Sequence, residues 1–460
     1  MVFLGRTKRI HFVGIGGIGM SGIAEVLLNL GFHVTGSDIR DSETTRRLVE
    51  LGATIMFEHL SGNVKGADVV VYSSAVNSSN PEVAAAGKLG IPAIPRTEML
   101  AELMRLKFAV TVAGSHGKTS TTSLTAAVLA GLDPTVIVGG KLIAISTNAR
   151  LGSGRYLIAE ADESDGQFVR LPSSIAVITN IDLEHLDYYA NLESIKDSFV
   201  EYANRVPFYG SVVLCADDEN VLSIVSRIQK RKIMYSLGGE GDLVGQVISR
   251  SEDGTRFSVS NSGTELGDVL LKIPGDHYVR NALAAIAVGL EMEVSFTRIK
   301  AGLENFEGVG RRFEIKGEEA GILVVDDYGH HPTEIEATVK AAVGNYGRRL
   351  FVLFQPHRYS RTQASADEFA TCFAGAHRVL VCDIYAAGER AIEGVNAHTI
   401  IDRAHATGIS IGYAASFDEM VATVIEEAKV GDMVITMGAG DISRVSDMVL
   451  ASLKRSAQKK

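Results

Sequence analysis

Two glycine-rich loops in this 460-residue chain have the residue types and spacing to hold phosphate. One reads TVAGSHGKTSTT over 111–122. An apolar run, Phe108 to Ala113, stops at Gly114, and Gly117-Lys118-Thr119 then leads into hydroxyl-rich residues. Backbone N–H groups of Ser115, His116, Gly117, Lys118 and Thr119 can point at phosphate oxygens, helped by the N-terminus of the helix that follows. Lys118 can neutralise β- and γ-phosphates, and the Thr119 hydroxyl can hold Mg²⁺. The Walker A pattern, however, needs a glycine five places before Gly117, where Val112 stands. Gly114 comes two places late. From these residues alone a chance Gly-Lys-Thr helix cap stays open.

The other loop is GIGGIGMSG, residues 14–22. Its Gly14-x-Gly16-x-x-Gly19 follows a strand and opens a helix, and Asp38 ends the next strand. That is the dinucleotide fingerprint: glycines for the tight turn and close approach of a diphosphate, an acid for a ribose hydroxyl. A nucleoside diphosphate is expected there, of unspecified base.

Carboxylates come next. EADESDGQF places Glu160, Asp162, Glu163 and Asp165 after a buried strand, with Glu160 and Asp162 on one face. Acids at a strand's C-terminal end beside a phosphate loop suit Mg²⁺, which prefers oxygen; a solvated acidic turn is the competing reading. TNIDLEHLDYY adds His185, whose role the residues alone do not assign. DDYGHHPTEI (326–335) and FQPHRYSRT (354–362) bring Asp327, Tyr328, His330, His331, His357, Arg358 and Arg361 to the ends of two strands. Two guanidiniums among polar groups make an anion site; interdomain salt bridging explains them equally well.

The elements that must position these residues follow an alternation of apolar strands and helices, which implies parallel sheets covered on both faces. Three α/β domains are expected. The first, 1–106, is Rossmann-like. The second, 107–306, is a P-loop-type ATPase domain; its short alternating runs at 242–273 suggest antiparallel hairpins. The third, 307–460, is again Rossmann-like. Helices are expected at 119–130, 192–204, 219–229, 278–290, 332–344, 363–373 and 417–428.

Composition agrees with a globular chain of several domains: 46% apolar, 22% charged, net charge −10. That charge disfavours general nucleic-acid or membrane-surface binding. Cys215, Cys372 and Cys382 lack metal-site spacing and read as buried thiols in a reducing compartment. The N-terminus does not read as a signal peptide, and no long apolar run reads as a membrane span. A cytoplasmic protein is expected, a monomer or weak homodimer.

Taken together the motifs resemble the Mur ligases of bacterial peptidoglycan synthesis, in their alanine-adding branch. The segments that carry the resemblance are GIGGIGMSGIAEVL, YSSAV, GSHGKTSTT, EADESDGQF, TNI…HLDYY, GDH…NALAA, DDYGHHPTE, PHRYSRT and GAGDI. They run in order along essentially the whole chain. The resemblance implies an ATP-dependent ligase joining L-alanine to the lactyl carboxylate of UDP-N-acetylmuramate. It makes the shortened loop an ATP loop of its own type, comprising Gly114 to Ser120. It assigns the first loop (Gly14, Ile15, Gly16, Gly17, Ile18, Gly19), with Asp38, Ser73 and Ser74, to the UDP end of the substrate. Thr119 and Glu160 would hold one Mg²⁺ and His185 would sit at a second. His277, Asn281, Arg312 and Asp327 would serve the adenine nucleotide. Tyr328, His330, His357, Arg358 and Arg361 would frame the alanine and the reacting phosphate. Lys118, His185, His330, Arg358 and Arg361 are the catalytic candidates.

This chain departs from the family pattern at Glu184, where aspartate is usual, and at Tyr278, where asparagine is usual. Val200 stands where many members carry a carbamylated lysine, so none is expected. A swing of the third domain about Gly308 and Gly310 is expected, to keep water from an acyl phosphate. Three rivals are weighed. A nicotinamide-dependent oxidoreductase accounts for the first loop but not for Lys118. A related ligase that recycles murein tripeptide has tyrosine where Ser164 stands. A non-catalytic UDP-sugar sensor would bind without turnover.

Overall fold

The computed structural model describes residues 4–73, 76–77, 79–105, 107–142, 147–185, 188–406 and 411–457. Three sheets carry the fold. The first comprises β1 (Arg9–Val13), β2 (His33–Ser37), β3 (Thr54–Met56), β4 (Val69–Tyr72) and β5 (Ala93–Pro95), all parallel, in the order β3-β2-β1-β4-β5. Strand order reverses between β1 and β4. In open α/β sheets that reversal opens a crevice at the carboxyl ends of the strands, where ligands bind. β4, VVVY, is buried along its first three residues, as a parallel strand covered on both faces must be.

The second sheet has ten strands: β6 (Phe108–Ala113), β7 (Thr135–Leu142), β8 (Thr147–Arg150), β9 (Tyr156–Glu160), β10 (Ile175–Ile178), β11 (Ser211–Cys215), β12 (Lys232–Leu237), β13 (Leu243–Ser251), β14 (Gly254–Asn261) and β15 (Thr264–Leu271). Their order is β15-β14-β13-β12-β11-β10-β6-β9-β7-β8. β6 therefore lies between β9 and β10, parallel to both. β7 and β8 form an antiparallel hairpin that the sequence reading did not contain.

The third sheet comprises β16 (Glu314–Glu319), β17 (Ile322–Asp327), β18 (Leu350–Phe354), β19 (Arg378–Val381), β20 (Ile411–Tyr413) and β21 (Met433–Met437). It is ordered β16-β17-β21-β18-β19-β20, parallel except for β16. The chain divides into two compact units, Met1–Gln246 with Ser258–Asp268 and Arg280–Phe306, and Val247–Phe257 with Val269–Val279 and Glu307–Lys460. Among the described residues no helix is long and apolar enough to cross a membrane. All three cysteines are buried and free.

The helix read at 192–204 forms over Leu192–Asn204, started by a capping box between Asn191 and Ser194. Two readings need correction. The single helix expected at 363–373 is two short ones, Tyr359–Ala364 and Ala366–Phe369, split at Ser365. The first is preceded by Arg358, whose φ is +70°. The helix expected at 219–229 ends at Ile224 and tightens into a 3₁₀ turn over Val225–Arg227, where β-branched Val225 and Ser226 are weaker helix formers.

A buried acid braces the first sheet. Glu82 is fully buried on the helix Pro81–Leu89. It accepts from Ser37 Oγ at 2.5 Å, from Asn63 Nδ2 at 2.5 Å and from His59 Nδ1 at 3.1 Å. Ser37 in turn offers its carbonyl to the N–H groups of Gly14 and Ile15, at 2.9 and 3.0 Å. Burial would raise the Glu82 pKa, but His11, 3.6 Å away, and the hydrogen bonds from Ser37, Asn63 and His59 outweigh it and hold the carboxyl at about 2. The ionised acid therefore contributes stability above its ordinary value of 4.5, and that contribution is lost as pH falls towards 2. Glu82→Gln should cost about 2–3 kcal/mol at pH 7. In urea unfolding the gap between wild type and variant should narrow as pH is lowered from 5 to 3; a gap independent of pH would contradict the assignment.

Candidate active site

The loop after β6 is shaped by its neighbours. Gly114 and Gly117 have φ of +137° and +79°, which side-chain-bearing residues rarely adopt. A Cβ on Gly114 would strike Thr179 Oγ1, and one on Gly117 would lie 2.8 Å from Asn281 Oδ1. The segment after β10 brackets the loop. Asn180 Oδ1 accepts from His116 N at 2.8 Å, and Asn180 Nδ2 donates to His116 O at 2.9 Å. Ser115 Oγ accepts from Asp182 N at 2.8 Å, and His116 Nε2 lies 2.9 Å from Asp182 Oδ2. The helix Lys118–Val128 starts from Gly117 with no side-chain cap, and Thr119 and Ser120 are buried in its first turn. Such an N-terminus favours an anion.

Lys118 Nζ donates to Gly114 O and to Glu163 Oε1, both at 2.7 Å, and to Ser115 O at 3.2 Å. Burial disfavours its charge, but Glu163 and Asp162 outweigh that and hold the ammonium above its ordinary range. Asp162 is held low: its burial is overcome by Lys118 and Arg96. The ammonium is thus charged and poised, while the second oxygen of Glu163, Oε2, is buried with no hydrogen-bond partner among the described residues.

Glu163 also belongs to a donor set. Ligand atoms of Glu163, Glu184 and His185 all fall within 4.8 Å of one another. His185 Nε2 is 3.5 Å from Glu163 and 3.9 Å from Glu184. The backbone of His185 takes φ +56°, an uncommon conformation for a side-chain-bearing residue. Burial lowers the His185 pKa, but the two acids raise it further, so the net shift is upward. Two carboxylates with an unsatisfied oxygen fit a divalent cation that prefers oxygen. Glu160 ends β9, where its Oε1 accepts from Gly139 N at 2.6 Å.

In the first loop Asp38 Oδ2 accepts from Gly16 N at 2.8 Å, and Oδ1 from Arg40 N at 3.1 Å. A Cβ on Gly16 would lie 2.8 Å from that Oδ2. Ile15 is fully buried, so it can present only backbone to a ligand. The helix Ile18–Asn29 begins at Gly17 with no side-chain cap. Ser73 follows β4. Ser74 lies outside the described residues, as does the side chain of Ile18.

The second unit holds the remaining candidates except Asn281, and is described by itself. Asp327 accepts from Phe313 N and Gly329 N, both at 2.7 Å. Burial, opposed by Arg312, pushes its carboxyl up to about 6. The guanidinium carbons of Arg311 and Arg312 lie over the Tyr328 ring, 5.1 and 5.0 Å from its centre. His330 Nδ1 meets Tyr328 O at 3.1 Å. His357 stacks on Tyr385 at 5.8 Å with 9° between the rings and meets His330 edge-on at 5.5 Å. Burial, with His330, Arg361 and Arg358 adding repulsion, pushes its pKa down to about 3. His357 is therefore neutral, and its Nδ1 accepts from Arg361 Nη1 at 3.3 Å. Arg358 Nε stands 4.0 Å from Glu389, which also accepts from Ser360 N and Oγ. The helix Asp276–Glu291 carries His277 and Asn281; the rings of His277 and Tyr278 lie 4.4 Å apart.

Sequence reading did not single out Glu163 as the partner of Lys118, nor Asn180, Arg96, Tyr385 or Glu389. For Glu163 a signal existed, since it sits in the acidic run. The other four stand in stretches whose spacing suggests nothing by itself.

Residues 9–108 match the family model described as "Mur ligase family, catalytic domain", 112–289 that of "Mur ligase middle domain" and 311–440 that of "Mur ligase, glutamate ligase domain". The chain is 51% identical over 453 residues to a UDP-N-acetylmuramate–L-alanine ligase of Geotalea daltonii, covering 98% of this chain and 99% of that one. It is 52% identical over 447 residues to the protein of the same name in Desulfatibacillum aliphaticivorans, covering 96% and 98%. Among solved structures it resembles the UDP-N-acetylmuramate-alanine ligase of Thermotoga maritima, with TM-score 0.80, 29% identity and coverage of 98% and 100%. It also resembles a murein peptide ligase from Psychrobacter arcticus, with TM-score 0.71, 25% identity and coverage of 97% and 99%.

The neutral His357 gives a pH signature. The unfolded chain binds a proton near the ordinary value of 6.5 that the folded His357 refuses down to about 3. Stability should therefore fall as pH drops through that window. His357→Gln should remove up to about 1 kcal/mol per pH unit of this loss. Denaturant unfolding of both proteins at pH 7, 6 and 5 checks it, and parallel pH profiles would contradict a neutral His357.

Proposed function

This chain belongs to the Mur ligase family, and on that footing we propose that it joins L-alanine to the lactyl carboxylate of UDP-N-acetylmuramate, with ATP consumed to ADP and phosphate. What supports this most is half-identity, end to end, with relatives that bear that activity in their names. The murein peptide ligase, similar over the same length, is only 25% identical.

A carboxylate resists attack by an amine because oxide is a poor leaving group. Transfer of the γ-phosphoryl of ATP to a carboxylate oxygen breaks the β–γ bridge and gives an acyl phosphate and ADP. The alanine amine, deprotonated, attacks the acyl carbon. The tetrahedral intermediate then expels phosphate, leaving the amide.

The residues take these roles in our reading. Gly114 to Ser120 cradle the ATP phosphates, and Lys118 carries the charge that offsets repulsion between them and the carboxylate. Glu163, Glu184, His185, Thr119 and Glu160 are the protein's oxygen and nitrogen donors for Mg²⁺. Mg²⁺, when bound, neutralises phosphate charge as phosphoryl transfer proceeds. His277, Asn281, Arg312 and Asp327 serve the rest of the adenine nucleotide. The loop Gly14–Gly19, with Asp38, Ser73 and Ser74, holds the UDP end of the sugar nucleotide. Tyr328, His357, Arg358 and Arg361 take the amino acid. His330 receives the amine proton: the Tyr328 carbonyl can only accept, which assigns a proton to Nδ1 and leaves Nε2 as the base. We take 1–106, 107–306 and 307–460 as the limits of the three domains. With ATP as co-substrate, the reaction belongs in the cytoplasm.

ADP release measured with UDP-N-acetylmuramate across a panel of amino acids should respond to L-alanine. A response only to a murein tripeptide, or NADH oxidation in place of ADP release, would replace this reading. Lys118→Ala should lower kcat by at least about a thousandfold while leaving UDP-substrate binding intact. Glu163→Gln should raise the Mg²⁺ concentration needed for half-maximal turnover about tenfold or more; an unchanged metal requirement would remove Glu163 from the metal site.

A further inference from the structure

The two phosphate loops differ in one respect that chemistry must make good. The ATP loop carries its own cation, Lys118. Residues 14–22, GIGGIGMSG, carry none. A helix N-terminus supplies roughly half an elementary charge, which is little against a diphosphate.

A cation does stand beside the first loop. Arg96 opens the helix Arg96–Met104, directly after β5, at the carboxyl end of the first sheet and on the β4 side of the strand reversal. A Cβ on Gly19 would collide with Arg96 Nη1 and lie 2.9 Å from Cζ, so Gly19 has no side chain where the guanidinium lies. Arg96 is the wrong charge for a helix's first turn, where the dipole disfavours cations. Its helix has no side-chain cap. A residue placed at that electrostatic cost needs an anion.

In this structure it has one: Asp162 Oδ2, 3.3 Å from Arg96 Nη2. That contact engages one of five guanidinium donors. Both side chains are partly exposed, 24% for Arg96 and 42% for Asp162. Ion pairs of this kind contribute about 0–1 kcal/mol and exchange readily. A diphosphate offers two charges and several acceptor oxygens in planar, bidentate reach of a guanidinium.

We propose that Arg96 is an anion-binding residue of the UDP-substrate site, exchanging Asp162 for the diphosphate when the sugar nucleotide binds. This rests on the reading that the first loop holds the UDP end. Asp162 belongs to the acidic run that also faces Lys118, so the exchange ties the filling of the first loop to the charge balance around the ATP loop.

Calorimetry with UDP, which has the diphosphate but no lactyl carboxylate, tests the assignment on the full-length protein. Arg96→Gln should weaken UDP binding about tenfold or more, and Arg96→Lys should recover part of the loss. Asp162→Asn should bind UDP as well as wild type or more tightly, because a competing anion is gone. The inference is overturned if Arg96→Gln binds UDP within twofold of wild type. It is overturned equally if Asp162→Asn loses as much as Arg96→Gln, the mark of a pair that only ties two segments together. A wild type that makes ADP with alanine yet does not bind UDP would also overturn it. Loss of alanine-dependent ADP release in the wild type would instead overturn the functional reading beneath it.

Discussion

A lysine ammonium taken largely out of water must have a counter-charge, and much of the middle of this protein is arranged around that need. Lys118 is only 17% exposed, and its partner Glu163 is 2% exposed. Removing two charges from solvent is costly unless geometry and further hydrogen bonds compensate. Here the ammonium has two carbonyls, Gly114 O and Ser115 O, besides the carboxylate. β9 must therefore run beside β6, so that the acidic run ends next to the loop. β10 on the other side of β6 brings Asn180 to the loop's backbone and Asp182 to the Ser115 hydroxyl. The sheet order β10-β6-β9 is the order this ion pair requires.

Glu163 also links two chemistries. One oxygen, Oε1, accepts from Lys118 and lies 3.5 Å from His185 Nε2, while the other is buried without a hydrogen-bond partner among the described residues, and the residue shares a donor set with Glu184 and His185. The lysine and the Glu163–Glu184–His185 cluster are thus joined through one carboxylate. Asp38, just after β2, does the opposite: it accepts from the Gly16 N–H of the first loop and so fixes backbone rather than charge.

The strands, the two loops and the helices behind them were legible because they rest on local rules: apolar runs that fill a covered sheet, and glycine at positive φ. Phe108–Ala113 and Leu192–Asn204 form as read. The β7–β8 hairpin was not legible, since its glycine-rich residues carry no alternating pattern. The acidic run at 160–165 was legible as a group, but which acid meets Lys118 was not. Period two favours Glu160 and Asp162, whereas the turn after β9 carries Glu163 back to the loop and leaves Glu160 on Gly139. Arg96 lay beyond sequence reasoning altogether. Its meaning comes from Gly19 and Asp162, which are remote from it in the chain and adjacent only in the fold.

The two departures from the family pattern become intelligible on the same terms. Glutamate for aspartate at 184 lengthens the arm by one methylene. Its carboxylate stands 3.9 Å from His185 Nε2 and within the same 4.8 Å donor set as Glu163. The longer arm thus still delivers an oxygen to the cluster. Tyrosine for asparagine at 278 exchanges an amide for a phenol that is 3% exposed, with its ring 4.4 Å from that of His277. In the second unit Arg312 feels Tyr278 as well as Glu334, Asp327 and Tyr328. A phenol there fills volume and keeps a polar group in the surroundings of Arg312. An amide's paired donor and acceptor are lost, and what the phenol brings in their place is packing against His277 and a polar group beside Arg312.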